Sequence, residues 1–214
     1  DENTGVASMD MDPADGNMLY VGMWEFRRKA YTFTSGGEGS NLYRTRDGGK
    51  NWDILREGLP EGKLGRITVA VAKSRPSTVY AIVEAEKTAL YRSDDMGYHW
   101  RKVNDSNSVA MRPFYFGHLY VDPVDHDTVY KPGFSYAVSR DGGKSFSGAG
   151  GGFSASTHSD HHAIWVNPED TNHQLIGTDG GVYESRDGGQ HWRFFQNLPL
   201  SQFYRVAYDM QEPY

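Results

Sequence analysis

Ser185-Arg186-Asp187-Gly188-Gly189-Gln190-His191-Trp192 is the last of four copies of one short motif in this chain. Each copy has Ser or Thr first, Asp third, Gly fifth and an aromatic residue eighth. The copies begin at Thr45, Ser93, Ser139 and Ser185, so that their aspartates lie 48, 46 and 46 residues apart. A fixed period in this range is typical of a repeat architecture.

The segments between the motifs repeat as well. Each unit contains four short runs of β-branched and aromatic residues that alternate with polar ones, and Gly, Pro, Asn and Asp separate the runs. Apolar residues rarely recur at helical spacing over a useful length. Four strands in about 40–50 residues predict an all-β protein built from β-propeller blades, each a four-stranded antiparallel sheet.

The spacing predicts one domain over residues 1–214, with blades at about 1–60, 61–106, 107–153 and 154–200. Residues 201–214 are expected to form the first strand of a further blade. Two assemblies stay open, namely a small closed propeller and a partial propeller that a second copy or the remaining blades of a longer parent protein complete. The sequence favours the partial propeller, whose exposed sheet faces would promote self-association.

The motif falls at the hairpin between the third and fourth strands of each blade. Its aspartate can accept backbone N–H groups across the turn, and its glycine permits a positive φ. Four equivalent acids spread around a propeller cannot share one site. We therefore interpret the aspartates as structural residues; they are Asp47, Asp95, Asp141 and Asp187.

The motif resembles the Asp-box, or BNR repeat, of sialidases, sortilin-type receptors and the xyloglucanases of glycoside hydrolase family 74. A closer resemblance is to large, mostly exported bacterial proteins of a sortilin-like or glycosyl hydrolase-like group; it rests on residues 32–40, 64–67, 158–168, 179–183 and 202–206. This resemblance covers essentially the whole chain and implies a periplasmic or extracellular protein. Because Asp-box propellers include enzymes, receptors and assembly factors, it implies a fold and leaves the function open.

Composition excludes several classes of function. The chain has no cysteine, which rules out a disulfide, a thiolate nucleophile and a cysteine metal site. The net charge is −6 and no basic cluster occurs, so we expect no nucleic-acid partner. No run of 18 apolar residues is present, so we expect no membrane span.

Residues 158–162, His-Ser-Asp-His-His, lead into the innermost strand of the fourth blade, on the face where ligands bind in the resembled proteins. In an extended chain, His158, Asp160 and His162 would share one side. Three interpretations stay open: a hydrogen-bonded polar network, a divalent metal site with His158 and His162 as ligands, and acid–base catalysis by Asp160 and His162. Three strand residues span about 13 Å, so a metal would need a further ligand from a neighbouring blade, such as His118.

A long connection between the second and third strands of the first blade carries Trp24, Arg27, Arg28 and Tyr31. Aromatic faces can stack on sugars, and guanidinium groups bind carboxylates. These residues therefore predict a surface for a carbohydrate or peptide ligand. The alternative is that Trp24 pins the loop to its blade while the arginines face solvent.

Arg112 and Tyr115 precede the first strand of the third blade and are expected to extend the same face, together with His158. The favoured function is a binding module, which needs only an aromatic surface and hydrogen-bond donors. A glycoside hydrolase would need two carboxyl groups about 5–10 Å apart across a cleft. The candidate acids for that reaction are Glu25, Glu38, Asp160 and Asp179.

Overall fold

A computed structural model describes residues 2–150 and 156–198 of the chain. Within them, four antiparallel sheets are arranged as the blades of a β-propeller, which confirms the predicted fold class. Each blade is formed by consecutive strands, and each strand pairs antiparallel with its neighbours in the sheet. The strand expected within residues 201–214 lies outside the described residues.

The first blade has five strands, because the long connection predicted after its second strand folds as a β-hairpin. The sheet order is β1-β2-β4-β5, and β3 pairs with the outer half of β2. The strands are β1 (Thr4–Met11), β2 (Leu19–Lys29), β3 (Thr32–Ser35), β4 (Leu42–Thr45) and β5 (Asp53–Leu55).

The other three blades have four strands each, in sequence order. The second contains β6 (Ile67–Val71), β7 (Val79–Val83), β8 (Ala89–Ser93) and β9 (Arg101–Asn104). A four-residue helix, α1 (Asn107–Ala110), leads to β10 (Tyr120–Val121), β11 (Val129–Lys131), β12 (Tyr136–Ser139) and β13 (Ser147–Gly150). The fourth contains β14 (His161–Val166), β15 (Gln174–Thr178), β16 (Gly181–Ser185) and β17 (Arg193–Phe194). No helix in the described part of the chain is long and apolar enough to cross a membrane.

The repeated motif closes the hairpin between the last two strands of each blade. In the first copy, Asp47 Oδ1 accepts the hydroxyl of Thr45 and the backbone N–H of Asn51, and Thr45 Oγ1 accepts the N–H of Gly49, all at 2.9 Å. The same three bonds recur in the other copies. The glycine equivalent to Gly49 has φ between 84° and 90° in all four. One side-chain arrangement therefore fixes four turns.

The core lies between successive blades. Strands of the second blade are buried on both faces, because Val69, Ala81 and Tyr91 face the first blade while Tyr80 and Leu90 face the third. A third cluster joins the third and fourth blades. Continuous apolar runs in β6 and β7 follow from this two-sided burial.

Polar side chains also cross from one blade to the next. Tyr20 Oη and Arg44 Nη1 both donate to the carbonyl oxygen of Met96, at 3.0 and 2.6 Å. Tyr80 Oη donates to the carbonyl oxygen of His126 at 2.8 Å. Burying a tyrosine ring with its hydroxyl bonded satisfies both parts of the side chain.

The outer face of the first blade carries an apolar row whose two ends are exposed and whose Val21 is buried, at 6% exposure. Met9, Val21, Tyr43 and Ile54 are cross-strand neighbours, and Met9 is 62% and Ile54 44% exposed. The equivalent row of the second blade is Val69, Ala81, Tyr91 and Lys102, and the first three of these pack against the first blade. The row of the first blade thus has the composition of a blade-to-blade contact.

Candidate functional site

Six aromatic side chains form a row across the ends of the first and third blades, opposite to the ends that carry the repeated motif. We call this row the aromatic shelf; its members are Trp24, Phe26, Phe33, Phe114, Tyr115 and Phe116. Ring centroids are 4.3 Å apart for Trp24–Phe26, 5.5 Å for Phe26–Phe33, 4.9 Å for Phe33–Phe114 and 4.9 Å for Tyr115–Phe116. Phe33 is 43% and Tyr115 44% exposed, so the row offers ring surface to solvent.

The hairpin of β2 and β3 positions the first half of the aromatic shelf. Its register pairs Phe26 with Ser35 and Arg28 with Phe33. Trp24 Nε1 donates to Ser35 Oγ at 2.9 Å, and that hydroxyl donates to Glu84 Oε2 of the second blade at 2.7 Å. The hairpin is therefore tied to the next blade through Ser35, whose hydroxyl also accepts the Trp24 N–H.

The predicted residues of this insertion separate into two groups. Trp24 is half-buried and belongs to the aromatic shelf, whereas Arg27, Arg28 and Tyr31 are exposed towards the tip of the hairpin. Tyr31 is 83% exposed, and Arg27 Nη2 donates to the carbonyl oxygen of Glu2 at 3.2 Å. The structure thus combines the two interpretations left open by the sequence, since Trp24 pins the hairpin and also lines the surface.

A tight turn before β10 positions the second half of the aromatic shelf. The carbonyl oxygen of Arg112 accepts the N–H groups of Tyr115 and Phe116, both at 2.8 Å, while Arg112 itself has φ 47°. The Arg112 guanidinium lies 5.9, 5.0 and 5.5 Å from the ring centroids of Phe114, Tyr115 and Phe116. The turn therefore clusters three rings around one exposed cation.

Two cations hold the backbone of this turn from below. Arg66 Nη1 donates to the carbonyl oxygens of Phe114 and Tyr115 at 3.1 and 3.3 Å. Lys131 Nζ donates to those of Phe116 and Pro132 at 2.6 and 2.8 Å. Three successive carbonyls are thus fixed by side chains of the second and third blades, which holds the turn with Tyr115 exposed and Phe116 buried at 1% exposure.

Lys131 is 2% exposed. Burial lowers the pKa of Lys131 from 10.5 to about 8, and the nearby charge of Arg66 lowers it further in the same direction. A buried ammonium stays charged only where its donors are satisfied. Here the acceptors are neutral carbonyls of the turn that Lys131 supports.

The row of rings continues to the fourth blade through His162. Its ring lies 5.7 Å from Tyr115, 6.1 Å from Phe116 and 6.4 Å from His118, centroid to centroid. His162 Nε2 lies 2.9 Å from Asp179 Oδ1. The fold therefore places a histidine–carboxylate pair at the end of the aromatic shelf, and it brings His118 close to His162.

The expectation that His158, Asp160 and His162 share one side of a strand is wrong. Strand β14 begins only at His161, and Asp160 has φ 60°, in the left-handed region. The N–H of Asp160 donates to the carbonyl oxygen of Phe134 at 3.1 Å, which holds this turn against the third blade. The turn interrupts the alternation on which the expectation depended.

The predicted residues at this end make local contacts. His158 Nδ1 lies 2.9 Å from the carbonyl oxygen of Ser159, and Asp160 Oδ2 accepts the Ser159 hydroxyl at 3.0 Å. His161 is fully buried against Thr157, and burial lowers its pKa. Across the described ranges, no group of three or more His, Asp or Glu side chains is placed to hold a metal ion.

Of the other candidate acids, Glu25 supports a loop, since its Oε2 accepts the backbone N–H of Gly39 at 3.0 Å. Glu84, which was not among the predicted acids, accepts the N–H of Arg66 at 2.8 Å. Glu38 is exposed. Asp179 and Asp160 are therefore the carboxylates at the fourth-blade end of the aromatic shelf.

A cleft of about 470 Å³ lies at the opposite end of the blades. Its lining includes Arg44, Arg46, Asp53 and Tyr98. Asp53 already accepts both arginines, at 3.4 and 3.1 Å. Because Arg44 and Arg46 are already paired with Asp53 within the protein, this cleft is a weaker candidate than the aromatic shelf.

Sequence reasoning did not identify Arg66, Lys131 and Glu84 as residues of the site. The signal for the two cations was a single charged residue at the boundary of an apolar run, before Ile67 and after Val129-Tyr130. Such a residue is buried only when it is paired or bonded.

No protein-family model matches the chain, and no curated protein matches it. Solved structures do resemble it. A glycoside hydrolase family 74 enzyme from Niastella koreensis superposes with a TM-score of 0.64 at 18% identity, over 90% of this chain and 30% of that one. The family 74 xyloglucanase from Xanthomonas campestris gives 0.64 at 16% identity, over 91% and 31%.

YCF48 from Cyanidioschyzon merolae is also similar, with a TM-score of 0.53 at 16% identity over 90% of this chain and 56% of that one. The chain spans about a third of the length of the two hydrolases. At these identities the likeness is one of fold. The chain is thus an all-β protein with the blade architecture that family 74 glycoside hydrolases and YCF48 share.

Proposed function

We propose that this chain is a carbohydrate-binding β-propeller module whose ligand lies along the aromatic shelf. The observation that carries the proposal is the row of six rings that bridges two non-adjacent blades and ends at the His162–Asp179 pair. Aromatic faces pack on the apolar faces of sugar rings, and polar groups beside them take the hydroxyls.

Rigid placement of the rings supports binding without rearrangement. Trp24 is bonded to Ser35, and the turn of Phe114 and Tyr115 is held by Arg66. Ordering a surface in advance lowers the entropy lost when a ligand binds. A peptide could bind the same surface, so the binding test includes acidic and basic peptides as competitors.

The test is retardation of the protein in native gels that contain neutral or acidic polysaccharides, with acidic and basic peptides as competitors. Tyr115→Ala and Phe33→Ala should each reduce retardation at least tenfold in apparent affinity. Trp52→Leu is the matched control, because Trp52 is equally exposed at 43% but belongs to the repeated motif at the opposite end. Equal loss in all three variants, or no retardation by any polysaccharide, would refute carbohydrate binding at the aromatic shelf.

A second candidate function is glycoside hydrolysis, and the His162–Asp179 pair favours it. His162 is oriented by a carboxylate at 2.9 Å, as an acid–base residue requires. Asp160 lies beside them, since its carbonyl oxygen accepts the N–H of Asp179 at 3.1 Å. Release of reducing ends that His162→Gln and Asp179→Asn abolish, without loss of gel retardation, would establish catalysis; retardation without release leaves a binding module.

We also propose that the repeated motif is the Asp-box and that the protein belongs with exported sortilin-like or glycosyl hydrolase-like bacterial proteins, in the periplasm or outside the cell. The bonds of the four motif aspartates and the resemblance of residues 158–168 support this assignment. Cell fractionation tests it, and recovery of the full-length protein in the cytoplasm alone would contradict it.

The apolar outer row of the first blade supports a further proposal about assembly. Met9 is exposed there, although its equivalent in the second blade, Val69, packs against the first blade. We propose that additional blades or a second copy cover this row. Light scattering on the isolated chain tests it: Met9→Lys should convert a self-associated species to the mass of one chain, and a wild-type monomer would leave additional blades as the covering element.

A further inference from the structure

Arg112 is an exposed cation in the middle of the aromatic shelf. Its guanidinium contacts three rings. The part of the chain that the structure describes places no carboxylate in an ion pair with it, whereas Arg92, Arg101 and Arg193 each contact one. The five N–H donors of Arg112 therefore face solvent or a ligand.

The backbone of Arg112 shows that this position is built rather than incidental. A non-glycine residue with φ 47° carries a cost of roughly 1–2 kcal/mol. The turn maintains it because the Arg112 carbonyl accepts two N–H groups, from Tyr115 and Phe116. Residues held in such conformations are concentrated at binding sites, so the outlier points to a function.

The carboxylates around the aromatic shelf are bonded to groups other than Arg112, and Glu84 accepts the Ser35 hydroxyl and the backbone N–H of Arg66. Arg66 and Lys131 support the same turn from below, and their side chains donate to carbonyl oxygens there. At the fourth-blade end, Asp179 is paired with His162 and Asp160 accepts the Ser159 hydroxyl. The aromatic shelf thus combines rings for sugar faces with one preorganised guanidinium and further positive charge beneath it.

We propose that the carbohydrate bound on the aromatic shelf is an acidic one, and that Arg112 binds a uronic acid carboxylate while adjacent sugar rings lie on Phe33 and Tyr115. The proposal rests on the carbohydrate-binding function and specifies its ligand. A guanidinium matches a carboxylate in a two-bond fork, and the rings behind it limit its rotation. Neutral sugars would use the rings alone.

Two matched ligands test the proposal by titration calorimetry: the hexamer of β-1,4-linked glucose and the hexamer of β-1,4-linked glucuronic acid. They differ only in whether C6 is a hydroxymethyl group or a carboxylate. The acidic hexamer should bind at least about tenfold more tightly, as expected for one charge-assisted interaction, and added salt should reduce that preference.

Three variants locate the effect. Arg112→Gln should abolish the preference while retaining affinity for the neutral hexamer, which also shows that the variant is folded. Arg112→Lys should keep part of the preference, because a lysine keeps the charge without the fork. Arg75→Gln is the control for net charge, since Arg75 is exposed beside His126 and away from the aromatic shelf.

Each outcome is decisive. Equal binding of the two hexamers, or an acidic preference that survives Arg112→Gln, overturns the inference and leaves carbohydrate binding intact. Binding of neither hexamer overturns the carbohydrate function and this inference together. Binding of a glutamate hexapeptide without either sugar would identify a peptide ligand and overturn the assignment of the carboxylate to a sugar.

Discussion

Replacing Lys131 with methionine should change how the stability of the protein depends on pH. The pKa of Lys131 is about 8 in the folded protein, against 10.5 for an ordinary lysine. A pKa lowered on folding means that the unfolded chain binds the proton more tightly, so stability rises as pH rises between these two values. A difference of this size corresponds to about 3 kcal/mol in total.

The wild-type protein should therefore gain about 2 to 3 kcal/mol in the free energy of unfolding, relative to Lys131→Met, between pH 7 and pH 10. Comparing the two proteins removes the contributions of other groups, including the buried tyrosines whose pKa is raised. Burial raises the pKa of Tyr20 to about 12, which acts in the opposite direction above pH 10. The difference between the variants isolates Lys131.

The assay is urea unfolding followed by tryptophan fluorescence at each pH, with a common m-value as a check on two-state behaviour. Lys87→Met is the control, because Lys87 is exposed. A difference between wild type and Lys131→Met that stays constant from pH 7 to pH 10, or that falls, would refute the assignment of a buried, charged lysine beneath the aromatic shelf.

Three further predictions concern the blades. Met96 has φ 60° where the other motif copies have Gly48, Gly142 and Gly188. Met96→Gly should therefore raise the free energy of unfolding by about 0.5–1 kcal/mol, and Gly48→Ala should lower it. The opposite signs in urea unfolding would contradict this account of the turn. Gly22→Ala should lower the free energy of unfolding by about 3 kcal/mol, because a Cβ there would overlap the carbonyl oxygen of Ile67 in the next blade. Gly5→Ala should leave the free energy of unfolding unchanged, because no atom lies within 4 Å of a Cβ at that position. Equal effects of the two substitutions would show that the blades are not in close contact at Gly22. Bonds from Ser145 lower the pKa of Asp141 to about 2. The stability that this carboxylate contributes is therefore complete above pH 3.8 and is lost as pH falls through about 2. Asp141→Asn should reduce the pH dependence of the free energy of unfolding in that window, and an unchanged dependence would argue against the turn as its cause.

The blades could be predicted from sequence because their determinants are local. Asp47 and Thr45 close a turn through bonds that reach at most four residues along the chain. Residue type at fixed spacing encodes such contacts directly. The aromatic residues Trp24 and Tyr115 could be identified for a related reason, since each lies in a segment with an unusual density of rings.

The support of the aromatic shelf could not be predicted, because its contacts join different blades. Ser35 bonds Glu84 across 49 positions and Arg66 bonds Phe114 across 48, which is close to one repeat period. Periodicity places blades in order without fixing which side chains meet between them. Asp160 illustrates a second limit: its left-handed backbone depends on a bond to Phe134 in the neighbouring blade, and residue type alone does not specify that conformation.

The central claim is that ligand binds at the aromatic shelf, and amide chemical shifts recorded while the glucuronate hexamer is added test it most directly. The account predicts that the largest changes occur at Phe33, Arg112, Tyr115 and His162. Changes confined to the repeated turns, or to the cleft lined by Arg44, Asp53 and Tyr98, would contradict it.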